Sequence, residues 1–170
     1  GGSQGAAALN RLLPQALLQM PEGERPQVWH QCGQRLIDDA LLGYRKAGIE
    51  ARVVPFIDDM AAAYAWADLC LCRAGALTLA ELTAAGLGAL LVPYPHAVDD
   101  HQTANARWLT DAGAAELMPE SALDAAALAA RLQALSEDRA AVVAMAQAAR
   151  ALARVDAAEA VATGCLEVAR

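Results

Sequence analysis

Apolar residues cluster in short runs at 28–32, 51–56, 69–72, 89–92 and 115–118, and between the runs they recur at three- and four-residue spacing. The runs predict strands, and the spacing predicts helices with one buried face. The first helix is expected over 6–20, broken or restarted at Pro14, because proline lacks an amide proton and is best tolerated in a first turn. A turn-rich tract follows at 19–26. Residues 34–47 place Leu36, Ile37, Leu41 and Tyr44 on one face before Gly48 stops the helix. Asp58 or Asp59 caps a helix through Trp66, and a helix over 77–85 is closed by Gly86. A loop over 93–100, rich in Pro, His and Asp, opens a helix through Asp111. From 123 onward the chain reads as two or three helices divided near 136–138 and 155–156.

Apolar strands alternating with helices signal βαβ units, and so an α/β fold with a doubly wound parallel sheet covered on both faces. Ligands of such sheets sit at the carboxyl ends of the strands. The loops after Cys32, Val54, Cys72 and Val92, with the opening glycines, are therefore where chemistry is expected. A glycine-rich turn entering a helix normally follows a strand, yet the sequence opens at Gly1 on the turn itself. The sheet is accordingly expected to lack its first strand, a central one in this topology. Unpaired backbone and apolar edges then predict a marginal, aggregation-prone chain.

A hydrophobic content of 56% over 170 residues supports one folded domain, and with aromatics at 4% the core must be built from small and aliphatic side chains. A net charge of -7 argues against nucleic acid as a partner, since phosphate binding needs a Lys and Arg excess. No apolar run reaches the ~20 residues of a bilayer-spanning helix, and the N-terminal residues do not resemble a signal peptide, so a cytosolic setting is expected. Cys32, Cys70, Cys72 and Cys165 match neither a disulfide framework nor a zinc pattern; Cys70 and Cys72 are expected to share a strand face as small buried hydrophobes.

Four segments carry candidate chemistry. Gly1-Gly2-Ser3-Gln4-Gly5-Ala6 is either a phosphate cradle ahead of a helix or a plain tight turn. In Arg73-Ala74-Gly75-Ala76-Leu77-Thr78-Leu79-Ala80-Glu81, helix-opening amides can bind a diphosphate and Glu81 can accept from a ribose diol. Alternatively, Thr78 is a cap and Glu81 completes its capping box. The stretch from Pro93 to Asn105 offers amide and imidazole groups suited to sugar hydroxyls, or is a solvated loop in which Asp99 or Asp100 caps the helix. Phe56-Ile57-Asp58-Asp59-Met60 is a loop whose backbone can pair with a base edge while Met60 packs nearby.

Taken in order, GGSQGAAALN, FIDDMAAAYAWAD, CRAGALTLAELTAAGL and HAVDDHQTANA resemble the carboxyl-terminal domain of the MurG family across nearly all of the chain. The resemblance implies a two-domain GT-B glycosyltransferase of peptidoglycan synthesis, and so of cell shape and division, with two facing Rossmann-like halves. Residues 1–170 would be the UDP-N-acetylglucosamine-binding half, and the other half would hold the lipid-linked muramoylpentapeptide acceptor. The closing helix, 156–170, would pack back toward that half. The resemblance gives Ser3 a place near the donor diphosphate and gives the backbone of Ile57 the recognition of uracil. Ala76, Leu77, Thr78, Leu79, Ala80 and Glu81 would wrap diphosphate and ribose, with Glu81 the ribose acceptor. Gln102, with Asn105 one helical turn along, would meet the hexose hydroxyls. His96 and His101 are near enough to be second contacts, and His101 stands where some relatives carry another glutamine. The implied chemistry is an inverting transfer to the acceptor 4-hydroxyl, without a metal or cofactor. Its general base and a diphosphate-binding arginine would lie in the other half, so no catalytic base is assigned here, nothing in the sequence supports Arg73 as a substitute for that arginine, and these residues alone would be inactive. Location at the cytoplasmic face of the inner membrane, as a peripheral protein, is implied through the other half. The competing readings are another GT-B enzyme, such as a UDP-N-acetylglucosamine epimerase or a small-metabolite glycosyltransferase, and a non-catalytic nucleotide-sugar binding module.

Overall fold

In the computed structural model, residues 7–95, 97 and 100–168 are described. The first helix, α1 (Ala7–Gln19), runs through Pro14 without a break, contrary to the expected interruption. Losing one helical hydrogen bond is tolerated because Pro14 is buried against α2 (Ile37–Ala47), where a Cβ added at Gly43 would lie 3.5 Å from the Pro14 ring. A 3-10 turn, Gln34–Leu36, precedes α2 and takes the first turn of the expected helix. Gly48 ends α2 with φ of 65°, a left-handed conformation that glycine adopts without strain.

Every apolar run holds a strand, each shorter than the run itself. β1 (Trp29–Gln31) pairs parallel with β2 (Arg52–Val54), His30 facing Val53. β3 (Cys70–Cys72), β4 (Ala89–Leu91) and β5 (Ala115–Leu117) form a second parallel sheet in that order, with Leu71, Leu90 and Glu116 in register. The expected α/β fold with parallel strands is present, its ladders divided into two parallel sheets of two and three strands. Among the described residues β1 pairs only with β2, and β3 only with β4.

The remaining helices are α3 (Met60–Trp66), α4 (Ala76–Ala85), α5 (His101–Thr110), α6 (Ala125–Glu137), α7 (Arg139–Ala151) and α8 (Ala157–Val168). Asp59, Asp124 and Asp138 each cap a helix by accepting a backbone N–H, and Asp138 also closes α6, which explains the break expected there. The core follows the pleat of β4, all three residues of which are buried. Ala89 and Leu91 join a cluster with Leu79 and Leu82 of α4 and Leu109 of α5. Leu90 points the other way, to Leu17 of α1, Tyr44 of α2, Leu128 of α6 and Met145 of α7. Both faces of the three-stranded sheet are therefore covered, which leaves its carboxyl edge as the place for a ligand. Helix α8 has no buried residue.

Candidate functional site

Helix α4 starts immediately after the carboxyl end of β3. Its N-cap is Gly75 in an extended conformation, and among the described residues no side chain caps the first turn. The first helical bond, from the Leu79 N–H, goes to the Gly75 carbonyl at 3.0 Å. Amides without a partner inside the helix and the positive end of the helix dipole therefore stand together at Ala76 and Leu77, both exposed, Leu77 by 82%. The capping-box alternative fails. A box needs Thr78 outside the helix, whereas Thr78 lies within its first turn. Leu79 belongs to the core by its side chain, so within 76–81 it can offer a ligand only backbone.

Glu81, exposed one turn further along, accepts a 2.7 Å hydrogen bond from the Tyr64 hydroxyl of α3. Burial first, and then the bond to Glu81, push the Tyr64 phenol well above its usual range, so it stays a donor. This bond ties α3 to α4, and α3 is entered from the loop that holds Ile57. In that loop Ile57 is buried while Phe56 is exposed, so what Ile57 can present is its backbone. Asp59 is committed to capping α3, as expected for one of the aspartate pair.

The third side of the edge is the segment from β4 into α5. The Gln102 carbonyl oxygen accepts the Tyr94 amide at 3.0 Å, which leaves its NH2 as the end suited to a ligand acceptor. Asn105 donates to the Ala74 carbonyl at 3.1 Å and so fastens α5 to the turn that leads into α4. Asp100 holds the N-cap position of α5 with φ of 51°, and its carboxylate accepts the Thr103 hydroxyl at 2.6 Å instead of a backbone amide. His101 is exposed at the first position of α5. Ser3 and the opening glycine turn, together with His96 and Asp99, lie outside the described residues.

Arg73 is not presented to a ligand as a substitute diphosphate arginine. Its side chain is 7% exposed; Nη1 donates to the carbonyls of Val92 and Pro93, each at 3.1 Å, and Nη2 pairs with Glu120 at 2.5 Å. Charge at the end of β3 and carbonyls at the end of β4 attract each other across the sheet edge, and this draws the guanidinium inward. Tyr64, Tyr94 and Glu120 are contributors that sequence reasoning missed. The available signal for Tyr64 was a lone hydroxyl-bearing ring in the Ala-rich run 61–65.

Elsewhere a buried polar network joins α1, β1 and α2. His30 bonds Tyr44 through Nδ1 and Asn10 through Nε2, each at 2.9 Å, while Asn10 donates to the Cys32 carbonyl. Burial lowers the His30 pKa to about 4. All four cysteines are free. Cys72 is buried as expected, while Cys70 is partly exposed.

Residues 1–161 match the Glycosyltransferase family 28 C-terminal domain. A Nitrosococcus oceani protein named UDP-N-acetylglucosamine--N-acetylmuramyl-(pentapeptide) pyrophosphoryl-undecaprenol N-acetylglucosamine transferase is 63% identical over 169 residues, covering 99% of this chain and 47% of that protein. A Marinobacter nauticus protein of the same name is 56% identical over 169 residues, with 99% and 47% covered. The crystal structure of Acinetobacter baumannii MurG is similar at a TM-score of 0.86 and 44% identity, over 95% of this chain and 48% of that one. The chain spans about half the length of the relatives it matches.

Proposed function

The chain belongs to the Glycosyltransferase family 28 C-terminal domain, and from that premise we propose that it is the donor half of an inverting N-acetylglucosaminyltransferase, binding UDP-N-acetylglucosamine for transfer to the 4-hydroxyl of a lipid-linked muramoylpentapeptide. The names of its relatives state the donor and the undecaprenol-linked acceptor. The observation that carries the reading within this chain is the uncapped start of α4, flanked by Glu81 on one side and Gln102 on the other.

Each residue then has a chemical role. Ile57 meets the uracil through its backbone, and Glu81 accepts from the ribose diol while Tyr64 keeps the carboxylate aimed. The amides of Ala76, Leu77 and Thr78 receive the diphosphate, Ser3 contacts it from the opening glycine turn, and Gln102 donates to the hexose. Asn105 acts on the same ligand by holding the Ala74 turn. As the acceptor hydroxyl attacks the anomeric carbon, negative charge grows on the departing diphosphate. Fixed N–H dipoles therefore stabilise the transition state more than the ground state. The general base and the acceptor contacts belong to the other half of such an enzyme. A lipid-linked acceptor calls for a membrane surface, and the proposal is peripheral attachment at the cytoplasmic face of the inner membrane; no described helix is long and apolar enough to cross a membrane.

Calorimetric titration with UDP-N-acetylglucosamine, UDP-glucose and UDP tests the reading. It predicts the tightest binding for the first, and a loss of ~1–3 kcal/mol in UDP affinity for Glu81→Ala. Equal affinity for all three ligands would instead favour a different nucleotide-sugar enzyme of this fold, and an unchanged UDP affinity in Glu81→Ala would remove the ribose assignment.

A further inference from the structure

Among the described residues Arg73 is the one charged side chain that is buried, and it contacts two separate segments, residues 92–94 and the turn at Glu120. The backbone ladder between β3 and β4 ends with the Val92 N–H bonding to the Cys72 carbonyl at 2.9 Å. Beyond that point the guanidinium takes over. It binds the next two carbonyls, Val92 and Pro93, and stands 5.5 Å from the Tyr94 ring. On its far side it pairs with Glu120, in the turn after β5. The residue it holds in this way, Tyr94, is the one whose amide fixes the Gln102 side chain. A chain of contacts thus runs from Glu120 through Arg73 and Tyr94 to Gln102, and no member of it before Gln102 needs to touch a ligand.

We propose that Arg73 is a positioning residue for hexose recognition, holding the start of the β4–α5 connection so that Gln102 meets the sugar; the inference rests on the UDP-N-acetylglucosamine reading above. The planar, multiply donating guanidinium is what two carbonyls and a carboxylate require together, and a lysine cannot supply that geometry. Arg73 itself opens the loop after β3, but its guanidinium reaches away from the nucleotide contacts proposed on the loops after β2 and β3, to Val92, Pro93 and Glu120. Its loss should therefore weaken the hexose contribution and spare the nucleotide one.

The test compares Arg73→Lys and Glu120→Gln with the unaltered chain, measuring affinities for UDP and UDP-N-acetylglucosamine and the thermal transition by circular dichroism. The expected readout is the ratio of the two affinities. It falls about tenfold in Arg73→Lys and about threefold in Glu120→Gln, while UDP affinity stays within about threefold. Glu120 is 31% exposed, so its variant carries the test if Arg73→Lys does not fold. The proposal is overturned if folded variants keep the ratio, or if UDP and UDP-N-acetylglucosamine affinity fall together, which is the pattern of a merely structural residue. An unaltered chain that binds UDP and UDP-N-acetylglucosamine equally overturns the functional reading first, and this proposal with it.

Discussion

At Gln102 the side-chain oxygen is spent on the Tyr94 amide, so a hexose would be met by the NH2 alone. Gln102→Ala is expected to reduce the preference for UDP-N-acetylglucosamine over UDP while leaving UDP binding unchanged, as read by titration; equal losses for both would misplace the sugar contact. Glu81 was legible in the sequence as either ribose acceptor or capping-box partner, and the position of Gly75 as N-cap removes the capping-box reading. Arg73 was not legible. Its partners Val92, Pro93 and Glu120 lie 19, 20 and 47 positions away, and no local spacing encodes a contact across a sheet edge. His30 makes a prediction of a different kind. Its folded pKa of about 4 lies below the unfolded value of 6.5, so the unfolded chain takes up the proton first. The stability the network contributes is therefore complete above pH 6.5 and is lost as pH falls through that value toward 4. Between pH 7 and pH 5 the loss should be about 2 kcal/mol in urea unfolding, and His30→Gln should flatten that slope. A His30→Gln chain with an unchanged pH profile would contradict the assignment.

Elements were more legible than their ends. The apolar runs located all five strands of the described residues, yet flanking residues such as Val28 and Val92 are apolar because they pack, not because they belong to the ladder. Pro14 misled for the converse reason, a local rule yielding to burial in the packed helix. Gly88 packs closely against α7 on the link from α4 to β4. A Cβ added at Gly88 would stand 2.8 Å from the Met145 Cβ and 3.6 Å from the Ala146 amide nitrogen, atoms fixed to the α7 backbone. Gly88→Ala should therefore lower the urea midpoint by the equivalent of about 1–3 kcal/mol without altering UDP affinity. An unshifted midpoint would show that α7 can yield at no cost.

For the whole molecule, the division into a two-stranded and a three-stranded parallel sheet leaves β1 and β3 each paired along one edge among the described residues. Their residues are mostly half-buried, in contrast to the fully buried β4. Helix α8 adds exposed Val161, Leu166 and Val168. Edges and apolar faces of this kind predict concentration-dependent association in light scattering and a broad thermal transition. A monodisperse chain with a sharp transition would contradict that. The Tyr64–Glu81 bond joins α3 to α4, and the Asn105–Ala74 bond joins α5 to the turn that leads into α4. The central claim is that the backbone amides at the start of α4, with those of the opening glycine turn, receive the donor pyrophosphate. It is tested most directly by amide chemical shifts on adding UDP-N-acetylglucosamine, with uridine as the control. The account predicts large shifts at Ala76, Leu77 and Thr78 and in residues 1–6 with the nucleotide sugar and not with uridine. Shifts confined to other edges of the sheets, or the same response to uridine, would contradict it.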